Sequence, residues 1–419
     1  MPKRRRAPSP QEQERHQEYL ADDVPEVHRR LLEHVLANNA RLSKVKIAKL
    51  PHGIGIVASE RIGKNEEITF IPTPLLINLH DIPFPNSSPL DHPTKIHSSL
   101  AAYIASKLPS SDAFISILPP AESFKSSLPL FWPDKILQNS PPWIQSFVQT
   151  QRQKLSSDYA HALKWHDHVD FTREEYECAW AAVNTRTIYY RPKKWYKIPA
   201  EDCMTMCPFI DYFNHDARGA ESCTVTFSPD GLRVTTQKSY TPGEEIFVTY
   251  GDYNNDHLLV EYGFTLPQNH NDNIILTPYL TPLLSPLHQK ILKEASFTGE
   301  YILDEKEICY KTLTALRISV IPPETPKSSK LYKNFLSLLD GKLSEDEYAA
   351  LNPSSESEVS NTLSTLIKTI ESDATSKTAA LNTLLLDEEF TDHKASIESA
   401  IERWGQYMAI ITAYRENQS

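Results

Sequence analysis

Two β-rich stretches, separated by a long helical one, constrain the fold of this chain most. From Val45 to Asn78, short runs of β-branched and apolar residues are broken by Gly and Pro, which is typical of small antiparallel strands joined by tight turns. Strand signals return at 223–236, where Pro229-Asp230-Gly231 predicts a hairpin turn, and again at 245–250. Between about 79 and 201 the pattern is largely helical. We therefore predict an α+β fold in which a helical insertion interrupts a β-rich domain.

Both ends of the chain are predicted to be helical. Segment 12–42 has apolar residues at helical spacing, and we expect this N-terminal extension to pack outside the β-rich core. The Ser-, Pro- and charge-rich segments 322–330 and 352–360 are predicted to be surface loops or mobile linkers. One helical face near the C-terminus is expected to be core: Ile397, Ile401, Trp404, Met408 and Ile411. The predicted domains are an extension at 1–43, a β-rich domain at 44–266 with its insertion at about 79–201, and an all-helical domain at 267–419.

Composition narrows the class of protein. At 419 residues the chain is long enough for two domains, because domains usually run to roughly 100 to 200 residues. The five scattered cysteines favour a reducing compartment, and no run approaches the ~20 apolar residues of a membrane crossing. The net charge of −11 disfavours direct contact with nucleic acid and favours a basic protein segment as partner. The basic Met1–Arg6 is compatible with a nuclear address or a solvated terminus, so we expect the protein in the nucleus and/or cytoplasm. We also expect it to be a monomer.

Three short motifs place glycines or polar residues in apolar surroundings. In His52-Gly53-Ile54-Gly55, two glycines let the backbone approach a ligand or another strand closely. Asp211-Tyr212-Phe213-Asn214-His215 sets polar residues among aromatic ones, and buried polar groups need partners. The third motif runs from Gly243-Glu244-Glu245-Ile246 through Tyr250-Gly251 to Tyr262-Gly263-Phe264. Each is a weak signal alone, and only their order and spacing are specific.

In that order and at those distances the motifs resemble a SET domain. The helical insertion, the Asp-x-x-Asn-His and the helical C-terminal half resemble, more narrowly, the Rubisco large-subunit methyltransferase type. The resemblance covers roughly residues 44–266 by motif and the C-terminal domain by architecture only. It implies a β-rich SET domain with a helical insertion, followed by an all-helical substrate-binding domain. The implied activity is methyl transfer from S-adenosylmethionine to a lysine of a histone or non-histone protein, without a metal.

The resemblance also implies roles for individual residues. Eight positions would bind the cofactor together with Tyr250: His52, Gly53, Ile54, Gly55, Arg186, Asp211, Asn214 and His215. Tyr250 matches the catalytic tyrosine of the family, and Tyr212, Tyr240, Tyr262 and Phe264 would be aromatic residues of the lysine channel. Two departures concern cofactor affinity, because relatives often have an acidic residue at the position of His52 and serine at that of Asp216.

The expected chemistry agrees with these residue types. Methyl transfer to nitrogen is an in-line displacement on a sulfonium, so positioning supplies much of the rate. Lysine attacks as a neutral amine although its usual pKa is ~10.4, and both an adjacent sulfonium charge and an apolar channel favour deprotonation. A tyrosine hydroxyl in such a site need not be a base, because its oxygen lone pairs can orient the amine and the polarised methyl group. We therefore expect Tyr250 to act by orientation and electrostatics.

Three alternatives remain open at this point. The SET fold is compatible with an inactive protein-interaction module, and a few proteins of this architecture methylate histidine instead of lysine. Cys203, Cys207, His215 and Cys223 contain zinc-binding residue types, but their spacing departs from Cys-x2-Cys knuckles in an apolar segment, so we favour buried thiols.

Overall fold

The computed structural model describes residues 19–21, 23–78, 82, 96–110, 112–165, 170–190, 203–219 and 221–418. The chain forms two compact units, one from residues 1–125 and 150–253 and the other from 126–149 and 254–419. The basic segment Met1–Arg6 and most of the Pro- and Ser-rich segment 81–93 lie outside the described residues. Within the described residues, no helix is both long and apolar enough to span a membrane.

The β-strands of the first unit confirm the predicted short antiparallel pieces. Strands β1 (Arg41–Leu42), β4 (Glu67–Pro72), β8 (Gly231–Thr235) and β7 (Thr224–Ser228) form one sheet in the order β1-β4-β8-β7. Two separate hairpin-like pairs accompany it: β2 (Val45–Leu50) with β3 (Gly53–Ala58), and β5 (Thr187–Tyr189) with β6 (Met204–Met206). Every strand of the four-stranded sheet pairs antiparallel to its neighbour, which joins residues from both β-rich stretches.

The predicted hairpin at Pro229-Asp230-Gly231 forms between β7 and β8, but the glycine has a different purpose. Gly231 is the first residue of β8 and is not among the residues with positive φ, so the turn does not need its conformational freedom. A Cβ at this position would collide with the backbone carbonyl oxygen of Ile71 in the neighbouring strand β4. The glycine is therefore required for close packing of two strands.

Segment 243–250 makes isolated backbone bridges instead of the predicted regular strand. On one side the Ile246 N–H donates to the Ile56 carbonyl oxygen of β3 (2.8 Å). On the other side the Val248 N–H donates to the Asn214 carbonyl oxygen (3.0 Å), and the Val248 carbonyl oxygen accepts from the Asp216 N–H (3.1 Å). The segment thus lies between β3 and residues 214–216, and it ends at Tyr250.

The first unit also contains helices. They are α1 (Glu26–Ala37), α2 (Ile96–Ala105), α3 (Ala121–Ser127), α5 (Pro142–Trp165) and α6 (Arg173–Arg186), of which α3 and α5 each run on into the second unit. Helix α6 starts with a capping box between Thr172 and Glu175, which satisfies its first N–H groups. It is anchored by the buried Trp180, whose indole N–H donates to Asp158 (3.0 Å).

Helix α1 corrects the expectation that the N-terminal extension packs outside the β-rich core. Its apolar stripe of Leu31, Leu32 and Val35 is fully buried. The imidazole of His28 also makes a 2.7 Å hydrogen bond with the Tyr212 hydroxyl of the second motif. An amphipathic stripe buried so completely belongs to the core of this unit.

The second unit is mainly helical. Its further helices are α4 (Asp134–Leu137), α7 (Asn255–Tyr262), α8 (Thr277–Leu280), α9 (Pro286–Glu294), α10 (Tyr310–Ser319), α11 (Lys330–Leu339), α12 (Glu345–Leu351), α13 (Pro353–Leu385) and α14 (Lys394–Asn417). A short antiparallel pair, β9 (Ile274–Ile275) with β10 (Ile302–Leu303), departs from the all-helical expectation. The predicted face of α14 is confirmed, since Ile397, Trp404 and Ile411 are buried and Ile401 and Met408 are half-buried.

One predicted loop is wrong, because residues 353–360 begin helix α13. Pro353 occupies the first helical turn, where its missing N–H leaves no bond unmade. Glu356 in the same turn accepts from the guanidinium of the buried Arg317 (2.9 Å). The polar composition that resembled a loop therefore serves a helix start and an ion pair. The other predicted loop does consist of turns, up to the Ser329 cap of α11.

The ranges of the two units differ from the predicted domain boundaries at 44–266 and 267–419. Residues 126–149, within the predicted insertion, belong to the second unit. Their side chains Trp132, Trp143 and Ile144 are part of one hydrophobic core with residues of the C-terminal helices, such as Trp404. Burial of these large apolar groups, and not sequence proximity, decides their membership.

Candidate functional site

The β2–β3 hairpin positions the first motif. Its two-residue turn, Pro51-His52, leads into Gly53, which has φ +133° and so needs a glycine backbone. Gly55 is required for a different reason: a Cβ there would lie 2.6 Å from Leu50 Cδ1, 2.8 Å from Asn214 Nδ2 and 2.9 Å from Glu245 Oε1. The predicted close backbone approach is therefore present, and it brings β3 against residues of the other two motifs.

A carboxylate links all three motifs at this point. Glu245 Oε1 accepts from Asn214 Nδ2 (2.8 Å) and contacts His52 Nε2 (3.1 Å). The Asn214 amide nitrogen also lies 3.4 Å from the Ile54 carbonyl oxygen. Because a carboxylate only accepts hydrogen bonds, the amide nitrogen must face Glu245. The carbonyl oxygen of the Asn214 side chain is consequently turned away from it.

Residues 209–215 form a tight turn before this cluster. Phe209 is buried with φ +75°, an uncommon backbone conformation for a bulky residue, and a 3-10 turn follows at Ile210–Tyr212. His215 Nδ1 accepts the Tyr250 backbone N–H (3.1 Å), and the two rings stack with centroids 5.1 Å apart. Burial lowers the pKa of His215, which keeps the imidazole neutral and able to accept.

The Tyr250 side chain is held by the same turn. Its hydroxyl donates to the Phe213 carbonyl oxygen (2.9 Å). Burial raises the pKa of Tyr250 to about 12, and the nearby Asp211 and Glu245 carboxylates act in the same direction against Arg186. Tyr250 is therefore a neutral phenol near pH 7. Its proton is donated to the Phe213 carbonyl oxygen, and its oxygen lone pairs can still accept a hydrogen bond.

A partly buried ion pair lies near the tyrosine. Arg186, the last residue of α6, donates from Nη1 to Asp211 Oδ2 (3.2 Å). Burial raises the pKa of Asp211, and the Arg186 charge opposes this shift. Among the described residues, neither Asp211 Oδ1 nor Arg186 Nε has a hydrogen-bond partner. A desolvated pair with open hydrogen-bonding positions is suited to hold a polar ligand group.

The structure brings the predicted cofactor residues together, but it treats the four predicted channel aromatics differently. Tyr212 and Tyr240 are buried in the first unit, with the Tyr212 hydroxyl on His28 and the Tyr240 hydroxyl 3.6 Å from Cys223 Sγ. Tyr262 and Phe264 belong to the second unit, where their ring centroids are 6.3 Å apart. A channel role for these four residues stays a prediction.

The cysteines near the site are buried thiols. Cys203, Cys207 and Cys223 are all buried and free, and burial raises the pKa of Cys223 to about 11. Within the part of the chain that the structure describes, no three His, Cys, Asp or Glu residues are grouped so that they could hold a metal ion.

Sequence reasoning missed two groups of this site. In the sequence, Glu245 is only one residue of the third motif, although its carboxylate connects the first and second motifs. The Phe213 carbonyl oxygen, which receives the Tyr250 proton, has no side-chain signal at all. A carboxylate directly before the apolar run Ile246-Phe247-Val248 is the signal that could have indicated Glu245.

Comparison with known proteins agrees with this geometry. The SET domain family matches residues 53–251. A ribosomal lysine N-methyltransferase of Schizosaccharomyces pombe is 25% identical over 209 residues, 48% of this chain and 52% of that protein. SET domain-containing protein 4 of Mus musculus is 28% identical over 162 residues, 37% of each chain. This chain thus matches about half, or less, of the length of these relatives.

The fold extends beyond the matched region. A solved structure of Rubisco LSMT bound to AdoMet superposes with a TM-score of 0.58 at 14% identity, covering 94% of this chain and 96% of that one. At this identity the likeness concerns the fold alone. It confirms the predicted fold class, with a SET domain and a helical C-terminal region.

Proposed function

From the premise that this chain carries a SET domain at residues 53–251, we propose that it is a protein-lysine N-methyltransferase of the Rubisco large-subunit methyltransferase type that uses S-adenosylmethionine. The observation that carries the proposal is the convergence of Gly55, Asn214, His215 and Tyr250, from three separate motifs, around one set of hydrogen bonds. The names of the matched relatives support the same activity.

The residues present fit S-adenosylmethionine. Without a side chain, Gly55 lets Leu50, Asn214 and Glu245 pack directly against β3, which holds the Asn214 amide beside the hairpin. The open positions on Arg186 and Asp211 suit the charged amino-acid end of the cofactor. We assign the holding of the cofactor to these residues with His52, Gly53, Ile54 and His215. When bound, the cofactor supplies an electrophilic methyl group on a sulfonium.

Tyr250 is proposed to orient the reacting groups. With its pKa raised to about 12 the phenol is a poor base near neutral pH. Its proton is donated to the Phe213 carbonyl oxygen. The lone pairs of the Tyr250 hydroxyl oxygen therefore point away from Phe213 and can accept a hydrogen bond from an amine N–H. Such preorganised electrostatic groups contribute to rate without reorganising during the reaction.

The acceptor is proposed to be a lysine on a basic protein. The net charge of −11 favours a cationic partner, and a matched relative is named a ribosomal lysine N-methyltransferase. Ribosomal proteins are therefore the first acceptors to test. We also propose that the protein acts in the nucleus and/or cytoplasm, on the strength of the basic Met1–Arg6 and the scattered free cysteines.

The testing experiment has two stages. Calorimetric titration of the full chain with S-adenosylmethionine should show saturable 1:1 binding. Incubation with tritiated S-adenosylmethionine and stripped ribosomal proteins should then label a protein, and mass spectrometry should locate the methyl group on a lysine Nζ. Absence of cofactor binding would indicate an interaction module without turnover, and a methyl group on imidazole would indicate a histidine methyltransferase.

A further inference from the structure

The Glu245 carboxylate contacts two of the proposed cofactor-binding side chains, Asn214 and His52. Its side chain is 14% exposed, and its Oε1 lies 2.8 Å from Asn214 Nδ2 and 3.1 Å from His52 Nε2. Oε1 is also one of the three atoms that a Cβ on Gly55 would meet, at 2.9 Å. The carboxylate therefore packs against the β3 backbone at Gly55.

No Lys or Arg in the described part of the chain lies within ion-pairing distance of Glu245. Its one basic contact among those residues is His52, whose side chain is 54% exposed. The preceding residue differs, because Glu244 pairs with Lys238 Nζ (2.9 Å) and this contact lowers the pKa of Glu244. A largely buried carboxylate without a fixed cation favours a cationic ligand beside it, since burial of an unpaired charge is costly.

Glu245 also decides the orientation of Asn214. Its Oε1 can only accept, so it binds the Asn214 amide N–H and leaves the amide oxygen directed away. An acceptor oxygen near a carboxylate is suited to an ammonium group, which has three donors and no acceptor. S-adenosylmethionine has such a group at its α-carbon, and 5′-methylthioadenosine lacks it.

We propose that Glu245 is a positioning residue that fixes the Asn214 amide and supplies the negative charge selecting cofactors with an α-ammonium group. The inference rests on the proposed use of S-adenosylmethionine and adds the part of the cofactor that is recognised. The negative charge lies in segment 243–250, next to the hairpin turn that carries His52.

The test compares three ligands on the full chain by calorimetry: S-adenosylmethionine, S-adenosylhomocysteine and 5′-methylthioadenosine. The variant Glu245→Gln retains an oxygen that can accept from Asn214 and removes the charge. We expect its affinity for the first two ligands to fall about tenfold, as for one charge-assisted hydrogen bond made neutral, while the affinity for 5′-methylthioadenosine changes less than about twofold. Glu244→Gln, the matched control, should leave all three affinities unchanged.

Other outcomes overturn the inference. An equal loss for all three ligands would make Glu245 a structural residue, and a loss confined to S-adenosylmethionine would place its charge on the sulfonium instead. Unchanged affinities would remove it from the site. Failure of the wild-type chain to bind S-adenosylmethionine is a separate result, because it would reject the proposed function before the variants are compared. A thermal unfolding midpoint for each variant shows that it is folded.

Discussion

At the scale of single residues, Tyr250 is defined by what its two polar groups contact. Its backbone N–H is accepted by His215 and its hydroxyl proton by the Phe213 carbonyl oxygen. Both partners lie in the turn that also carries Asn214, so the proposed catalytic group and the proposed cofactor ligand are positioned by one piece of backbone. A small displacement of this turn would therefore affect both.

Removal of the Tyr250 hydroxyl separates turnover from binding. We expect Tyr250→Phe to lower methyl transfer by about 100-fold or more, the size typical of losing one preorganised polar group, while the dissociation constant for S-adenosylmethionine changes less than about threefold. Single-turnover transfer of tritium and calorimetry measure the two quantities. Tyr189→Phe, at an exposed tyrosine, is the control and should alter neither. Unchanged transfer would exclude Tyr250 from the mechanism.

A methyl group added at Gly55 tests whether the close contacts at this residue are needed for cofactor binding. Gly55→Ala introduces a Cβ within 3 Å of Leu50, Asn214 and Glu245, and such overpacking costs about 1–3 kcal/mol. We expect a lower unfolding midpoint and loss of measurable S-adenosylmethionine binding. Gly219→Ala is the matched control, because its nearest atom outside the adjacent residues is Asp252 Oδ1 at 3.8 Å. Normal cofactor affinity in Gly55→Ala would show that the pocket lies elsewhere.

At the scale of elements, the same residue type has opposite effects in different settings. Gly231 begins β8 against the backbone of β4, where no side chain fits. Gly405 lies on an exposed part of α14, where a Cβ would meet nothing within 4 Å and glycine only adds flexibility to the unfolded chain. Local sequence does not distinguish these two glycines, whereas the packing of neighbouring elements does.

Alanine substitution at these glycines should therefore give opposite results. Gly405→Ala is expected to stabilise the protein by about 1 kcal/mol, because alanine has the higher helix propensity. Gly231→Ala is expected to destabilise it by about 1–3 kcal/mol through the collision with Ile71. Thermal and urea unfolding measure both changes. A stabilised Gly231→Ala variant would contradict the close packing of β8 on β4.

At the scale of the whole molecule, several buried histidines make stability depend on pH. Burial lowers the pKa of His28, His215 and His288, and burial together with the Lys154 charge lowers the pKa of His97 to about 4. In the unfolded chain these groups titrate near 6.5. Between about pH 6.5 and 4 the unfolded chain therefore binds protons that the folded chain does not, so stability falls as the pH falls.

The unfolding midpoint should consequently be highest above pH 6.5 and decrease between pH 6.5 and 5. His97→Gln, which cannot be protonated, should reduce this slope. Calorimetric midpoints at pH 7.5, 6.5, 5.8 and 5.0 measure the effect. A midpoint that rises on acidification in the wild-type chain would contradict the burial of these imidazoles in neutral form.

Local spacing along the chain was enough to predict several features of the fold. The periods of two and of 3.6 residues predicted short strands, a helical region and the buried face of α14, because backbone geometry sets where side chains point. The order of the motifs, through their resemblance to a known family, predicted that Asn214, His215 and Tyr250 share a site.

The folded structure alone set the features that depend on residues far apart in sequence. It placed Glu245 between Asn214 and His52, brought residues 126–149 into the core of the second unit, and gave segment 352–360 a buried arginine to pair with. Burial and hydrogen bonding join residues that are distant in sequence. A segment whose sequence predicts a loop or a strand can therefore form a different structure once its partners are adjacent. The position of the Glu245 carboxylate beside the proposed cofactor site is one such feature.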